Sequence, residues 1–117
     1  MLAQLRAAGE EGLQPEYYGA VALTRRFETV SSGPAPVAAM LAELDTALSQ
    51  AAVQLANDLH RGRIDPRSTG IALRRSRTEV DAGAWLSRLA TSHDVAAEFR
   101  ALEPQFLHYR LLEQWLV

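Results

Sequence analysis

The sequence predicts an all-α fold: a single compact domain over residues 1–117, with about five helices around one long central amphipathic helix. Alanine and leucine are abundant, whereas the alternating β-branched runs that favour strands are nearly absent. Between residues 37 and 59, apolar side chains recur every three or four positions, which is the period of an amphipathic helix. A chain of 117 residues has the length of one domain. It can bury roughly two-thirds of the surface that its unfolded form exposes.

The long central helix has the clearest pattern. Gly62 ends it, and His60 and Arg61 lie in its last turn, where positive charge suits the helix dipole. We expect Leu48 and Leu55, midway along the apolar stripe, to lie at the centre of the core. The stripe consists of Val37, Leu41, Leu44, Leu48, Ala52, Leu55 and Leu59.

Two helices are predicted before the long one. The first covers about residues 2–8 and ends at Gly9 and Gly12, because glycine takes the left-handed conformation that closes helices. Pro15 begins the second, since the first turn of a helix does not use its N–H. Its apolar face consists of Ala20, Leu23 and Phe27. Residues 31–36, Ser-Ser-Gly-Pro-Ala-Pro, are predicted to form a loop.

Four segments are predicted after the long helix and its Asp65-Pro66 exit. Residues 67–77 are basic and lack periodicity, which indicates an ordered loop. Thr78, with Asp81 three residues later, begins a further helix with an apolar side. A short turn or helix covers residues 94–102. Pro104 then opens the last helix, whose apolar residues are Leu107, Leu111, Leu112 and Trp115.

Charge and cysteine content exclude several functions. The formal net charge is -2, with no basic field of the kind that nucleic-acid binding needs. The only basic cluster is Arg74, Arg75 and Arg77, which we interpret as a solvated loop in preference to a phosphate-binding patch. The chain has no cysteine, which removes disulfides, thiolate catalysis and cysteine-based metal sites.

The histidines and acidic residues indicate no catalytic or metal site. His60, His93 and His108 have no partner in a metal-ligand spacing, so no metal and no cofactor are predicted. Asp58 with His60, or Glu98 with Glu103, could form a pair for general acid–base catalysis. We favour the interpretation that these side chains are solvated surface charges. The serines form neither Gly-x-Ser-x-Gly nor Ser-x-x-Lys, so no nucleophile is predicted.

The larger aromatic side chains allow two interpretations. They could stack on sugar rings, but each lies in or beside a helical apolar pattern, which favours packing in the core. These residues are Tyr17, Tyr18, Trp85, Tyr109 and Trp115.

The sequence leaves two cellular compartments open. No run approaches the roughly 18 apolar residues that cross a bilayer. Residues 1–9 lack the charged-then-apolar pattern of a signal peptide. We therefore expect either a cytosolic protein or a piece of a longer exported chain.

Three segments carry a resemblance to a known family. The central one runs from residue 44 through the long helix into Gly62-Arg63-Ile64-Asp65-Pro66. Upstream lies Gly12-Leu13-Gln14-Pro15-Glu16-Tyr17-Tyr18, and downstream Leu102-Glu103-Pro104 is followed by Tyr109 and Leu112. In this order they resemble the scaffold domain of large YcbB-type L,D-transpeptidases, which are exported enzymes that cross-link peptidoglycan. The resemblance covers about residues 9 to 117.

The resemblance implies a domain without chemistry of its own. In that family, catalysis belongs to a separate downstream domain with a Ser-x-Gly-Cys-type motif, which this chain lacks. The parent protein would then be an L,D-transpeptidase of the periplasm. Its other domains would be the partners of this domain, with cell-wall enzymes or peptidoglycan as further candidates.

Two other functions stay open at this stage. One is a stand-alone cytosolic helical module for protein interactions. The other is a small nucleic-acid binder that uses residues 74–77, although the overall charge argues against it.

Overall fold

The computed structural model of the chain describes residues 1–33, 35, 37–63, 70 and 78–116. In this part of the chain, six α-helices and two short 3-10 turns form one helical body without a strand, which confirms the predicted fold class. The helices are α1 (Leu2–Ala7), α2 (Ala20–Ser32), α3 (Ala38–Arg61), α4 (Ala82–Thr91), α5 (Val95–Arg100) and α6 (Leu107–Leu116). The first 3-10 turn is Ala8–Glu11 and the second is Pro15–Tyr18.

The predicted long helix is α3, and it ends where the sequence indicates. Gly62 has a φ angle of 79°, a backbone conformation that residues with a side chain rarely adopt. Its N–H donates to the carbonyl of Asp58 at 2.9 Å, which closes the last turn. His60 and Arg61 lie in that turn, as predicted.

The core is built on the C-terminal part of α3. Its buried residues alternate large and small side chains: Leu44, Ala51, Ala52, Leu55, Ala56 and Leu59. Because alanine adds little volume, the alanines let neighbouring backbones approach closely, and α1, α2 and the second 3-10 turn all pack against α3. These elements, together with the first 3-10 turn, α4 and α5, contribute further residues to the same core: Leu5, Ala8, Tyr18, Ala20, Leu23, Trp85, Leu89 and Phe99.

The apolar stripe of α3 is buried along only part of its length. Leu55 is 2% exposed, which confirms its predicted place at the centre of the core. Leu48 is only half-buried, so the prediction that it shares this place is wrong. Val37 and Leu41 are 64% and 46% exposed. Periodicity predicts the direction of a side chain, but burial also requires an element that covers it.

The second predicted helix is divided in two. Pro15 opens the second 3-10 turn and not a longer helix. Gly19 follows at φ 64°, and this left-handed residue separates the turn from α2, which begins at Ala20. Ala20 and Leu23 are buried as predicted, whereas Phe27 is exposed.

The later helices begin after the predicted positions. Asp81, and not Thr78, caps α4: its Oδ1 accepts the N–H of Ala84 at 3.0 Å. This is the ordinary role of an aspartate at a helix N-terminus. The helix predicted from Pro104 begins at Leu107. The carbonyl of Phe106 accepts the N–H of Tyr109 at 3.0 Å.

The short segment predicted over residues 94–102 contains α5. Asp94 caps it, with Oδ1 accepting the N–H of Ala97 at 2.9 Å. Phe99 of α5 packs edge-on against Trp85 of α4, with ring centroids 5.0 Å apart and planes at 78°. Edge-to-face packing is a favoured geometry for aromatic pairs, and it joins α4 to α5. The predicted basic loop, residues 67–77, and the Asp65-Pro66 exit lie outside the described residues.

The buried face of α3 predicts a contrast between two leucines on the same helix. We expect Leu55→Ala to lower the free energy of unfolding by about 2 to 5 kcal/mol, because it leaves a cavity in the core. Leu41→Ala should stay within about 0.5 kcal/mol of the parent, because Leu41 lies on the surface. Urea unfolding in one buffer compares the three proteins, and equal effects of the two variants would contradict this description of the core.

Candidate functional site

A surface cavity of about 560 Å³ lies beside the C-terminal end of α3. It opens where the last turn of α3 meets the first 3-10 turn and the start of α6. Its apolar lining consists of Leu13, Leu59, Pro104, Phe106 and Leu112. The polar side chains around it come from elements that are far apart in the sequence.

Tyr18 and Asp58 form the most buried polar contact at this end of the molecule. Tyr18 is 3% exposed, and its hydroxyl donates to Oδ2 of Asp58 at 2.8 Å. The interpretation of Asp58 as a solvated surface charge is therefore wrong: its carboxylate is half-buried and holds the second 3-10 turn on α3. Burial of Tyr18 raises its pKa above the ordinary value, and the hydrogen bond to Asp58 and the negative charge of Asp58 add to this shift.

Arg63 lies over Tyr17, the neighbour of Tyr18. The guanidinium carbon is 3.3 Å from the centroid of the Tyr17 ring, which is a cation–π contact. A hydrogen bond to Tyr17, together with the electrostatic influence of Tyr17, Tyr18 and Asp58, raises the pKa of the fully exposed Arg63. Tyr17 is itself exposed, so its predicted place in the core is wrong.

A second tyrosine–carboxylate contact attaches α6. The half-buried Tyr109 donates its hydroxyl to Oε2 of Glu11 at 3.0 Å, across 98 positions of the sequence. This bond joins α6 to the first 3-10 turn, which α6 packs against.

Two contacts attach the segment before α4 to the end of α3. Asn57 accepts the N–H of Val80 at 2.9 Å through Oδ1. Arg61 forms an ion pair with Glu79 at 2.7 Å, but both side chains are exposed, so water screens most of its energy. The hydrogen bond between Asn57 and Val80 is half-buried. It therefore holds the segment before α4 in place more firmly than the exposed ion pair does.

The histidines and acidic residues that were considered as candidate site residues lie in several parts of the described structure. No group of three His, Asp or Glu side chains among them could hold a metal ion. The exposed His93 lies between α4 and α5, and His108 lies in α6. Glu98 lies 3.8 Å from Arg88 in an ion pair, which accounts for it without acid–base chemistry.

One side of α6 presents apolar side chains to solvent. Leu107, Leu111 and Trp115 follow one another at four-residue spacing, and we call these three residues the outer face of α6. Leu107 is 70% exposed and Trp115 is 84% exposed, so the predicted place of Trp115 in the core is wrong. The described part of the chain contains no helix that is long and apolar enough to cross a membrane.

Comparison with known proteins gives one match. The sequence model of a family described as "Scaffold domain" matches residues 1–116. No curated protein and no solved structure matches the chain.

The Tyr18–Asp58 contact predicts a pH-dependent loss of stability. Because the pKa of Tyr18 is higher in the folded protein than its unfolded value of 10.0, the contact is fully stabilising below about pH 10 and is lost as the pH rises further. We expect Tyr18→Phe to lower the free energy of unfolding at pH 8 by about 1.5 to 3 kcal/mol, the usual range for a hydrogen bond to a charged group.

Urea unfolding of the parent and of Tyr18→Phe at pH 8 and above pH 10 tests this. The difference in stability between the two proteins should narrow as the pH rises. Tyr17→Phe is the matched control, because it removes the hydroxyl of a neighbouring but exposed tyrosine, and water screens the contact that this hydroxyl makes with the exposed Arg63. A difference that stays constant above pH 10 would contradict the account of Tyr18.

Proposed function

Because the chain belongs to the scaffold-domain family, we propose that it is the non-catalytic scaffold domain of a longer L,D-transpeptidase-like protein that cross-links peptidoglycan. In this role the helical body holds the catalytic part of the parent protein in position. The parent would act in the periplasm, which is the compartment of the family that the sequence resembles.

The observation that carries this proposal is the outer face of α6. Three large apolar side chains at helical spacing on a solvent-facing surface are typical of a surface that contacts another protein. Trp115 is 84% exposed, and burial of its large ring in an interface would contribute strongly to the free energy of binding. We propose that another domain of the parent protein covers this face.

The convergence of the three resembling segments also supports the proposal. Tyr18 of the upstream segment bonds Asp58 near the end of the long helix, and Arg63 of the helix exit lies over Tyr17. Tyr109 of the downstream segment bonds Glu11, which directly precedes the upstream segment. The residues that carry the resemblance therefore hold one another in place, as expected of motifs with an architectural role.

Under this proposal, the chemistry belongs to another part of the parent protein. Acyl transfer by an L,D-transpeptidase of this type needs a cysteine thiolate, and this chain has none. The contribution of this domain is consequently position and not a bond-making step.

The proposal is tested by binding between this chain and the Ser-x-Gly-Cys-containing domain encoded in the same reading frame. We expect the two domains to form a complex. Leu111→Asp or Trp115→Ser should each weaken its affinity by about tenfold or more, because loss of a hot-spot residue costs about 2 kcal/mol or more of binding free energy. Val21→Asp is the matched control, because Val21 is an exposed apolar residue on α2. Isothermal titration calorimetry measures the affinities.

Two outcomes would contradict the proposal. One is a reading frame without such a domain, which would favour the stand-alone interaction module. The other is a complex whose affinity is unchanged by both α6 variants, which would place the contact elsewhere.

A further inference from the structure

The cavity beside the end of α3 combines an apolar wall with charged side chains of both signs. Leu59, Leu112 and Phe106 form part of the wall. Of the charged residues around it, Glu11 accepts a hydrogen bond from Tyr109 and Arg61 is paired with Glu79, whereas Asp58 and Arg63 lie beside the apolar wall. Its volume of about 560 Å³ lies within the range of small-molecule sites. Among the described residues, no carboxylate forms an ion pair with Arg63.

The two carboxylate oxygens of Asp58 differ in their contacts with the described residues. Its Oδ2 accepts the hydroxyl of Tyr18, which fixes the orientation of the carboxylate. Its Oδ1 accepts no hydrogen bond from any described residue. The nearby C-terminal end of α3 adds the partial negative charge of the helix dipole. An ammonium group is the ligand group that this oxygen suits best.

Arg63 is held in a complementary way. Its guanidinium carbon lies 3.3 Å from the centroid of the Tyr17 ring, and this cation–π contact and a hydrogen bond to Tyr17 restrict the position of the group. The N–H groups at the edge of a guanidinium match the two oxygens of a carboxylate. Asp58 and Arg63 influence each other electrostatically, so a group that carries both charges would complement both residues at once.

We propose that this cavity binds the head group of an aliphatic α-amino acid. The ammonium would bind Oδ1 of Asp58, the carboxylate would bind Arg63, and the aliphatic chain would contact Leu59 and Leu112. The same head group occurs in a free amino acid and at the end of a diamino-dicarboxylic side chain in a peptide. The peptide as natural source rests on the proposed function in the cell wall, whereas the binding chemistry does not depend on it.

Methyl-detected NMR titration of the whole chain tests the site with norleucine, which has the complete head group. Hexanoate and pentylamine, which each carry one of the two charges, are the comparison ligands. We expect saturable shifts at the methyl groups of Leu59 and Leu112 with norleucine, and an affinity at least about tenfold lower for either single-charge ligand.

Three variants separate the contributions. Asp58→Asn keeps an oxygen that accepts the Tyr18 hydroxyl but loses the charge, and Arg63→Gln loses the guanidinium. Each should weaken norleucine binding by about tenfold. Glu43→Gln, on the exposed side of α3, should bind as the parent does. The absence of saturable shifts, equal binding of hexanoate, or unchanged affinity in Asp58→Asn would overturn the proposal.

Two peptides identify the source. One carries a diaminopimelate residue and the other carries lysine at the same position, which lacks the side-chain carboxylate. Tighter binding of the first peptide than of norleucine supports the peptide source, and tighter binding of norleucine supports a free amino acid. Leu111→Asp should leave these affinities unchanged, so a failure of the docking proposal and a failure of this site are distinguishable.

Discussion

The other helices of this fold are organised around the buried face of the C-terminal part of α3. Ala51, Ala52 and Ala56 keep its buried face shallow, so that α1, α2 and the second 3-10 turn can all pack on it. Leu55 and Leu59 fill the space between these elements. A larger side chain at the fully buried Ala52 or Ala56 would force the neighbouring helices apart. The same close packing brings the ends of several segments together beside Gly62.

Polar contacts fix the orientations of the 3-10 turns and of α6, which apolar packing alone does not determine. The Tyr18–Asp58 and Tyr109–Glu11 bonds both use a tyrosine, whose ring packs at the edge of the core while its hydroxyl reaches a carboxylate. They tie the second 3-10 turn to α3, and α6 to the first 3-10 turn. This arrangement leaves the outer face of α6 exposed, which connects the internal architecture to the proposed docking role. It also forms the cavity in which the opposite charges of Asp58 and Arg63 lie.

The sequence predicts local features of this fold better than contacts between distant segments. The period of α3, its end at Gly62 and the burial of Leu55 follow from spacing and from the conformational freedom of glycine. The Tyr18–Asp58 contact spans 40 positions, and no local pattern marks it. The exposure of Trp115 was missed for a related reason, since an apolar helical face looks the same in a sequence whether its own domain or a partner covers it.

We propose that this domain is a rigid helical body and that another domain of a longer parent protein covers its α6. Amide hydrogen exchange, measured on the chain alone and on the proposed parent protein, tests this proposal. We expect the amides of α6 to exchange more slowly in the parent, whereas the amides around Leu55 in α3 should be equally protected in both. Unchanged exchange in α6, or a gain in protection confined to α3, would contradict it.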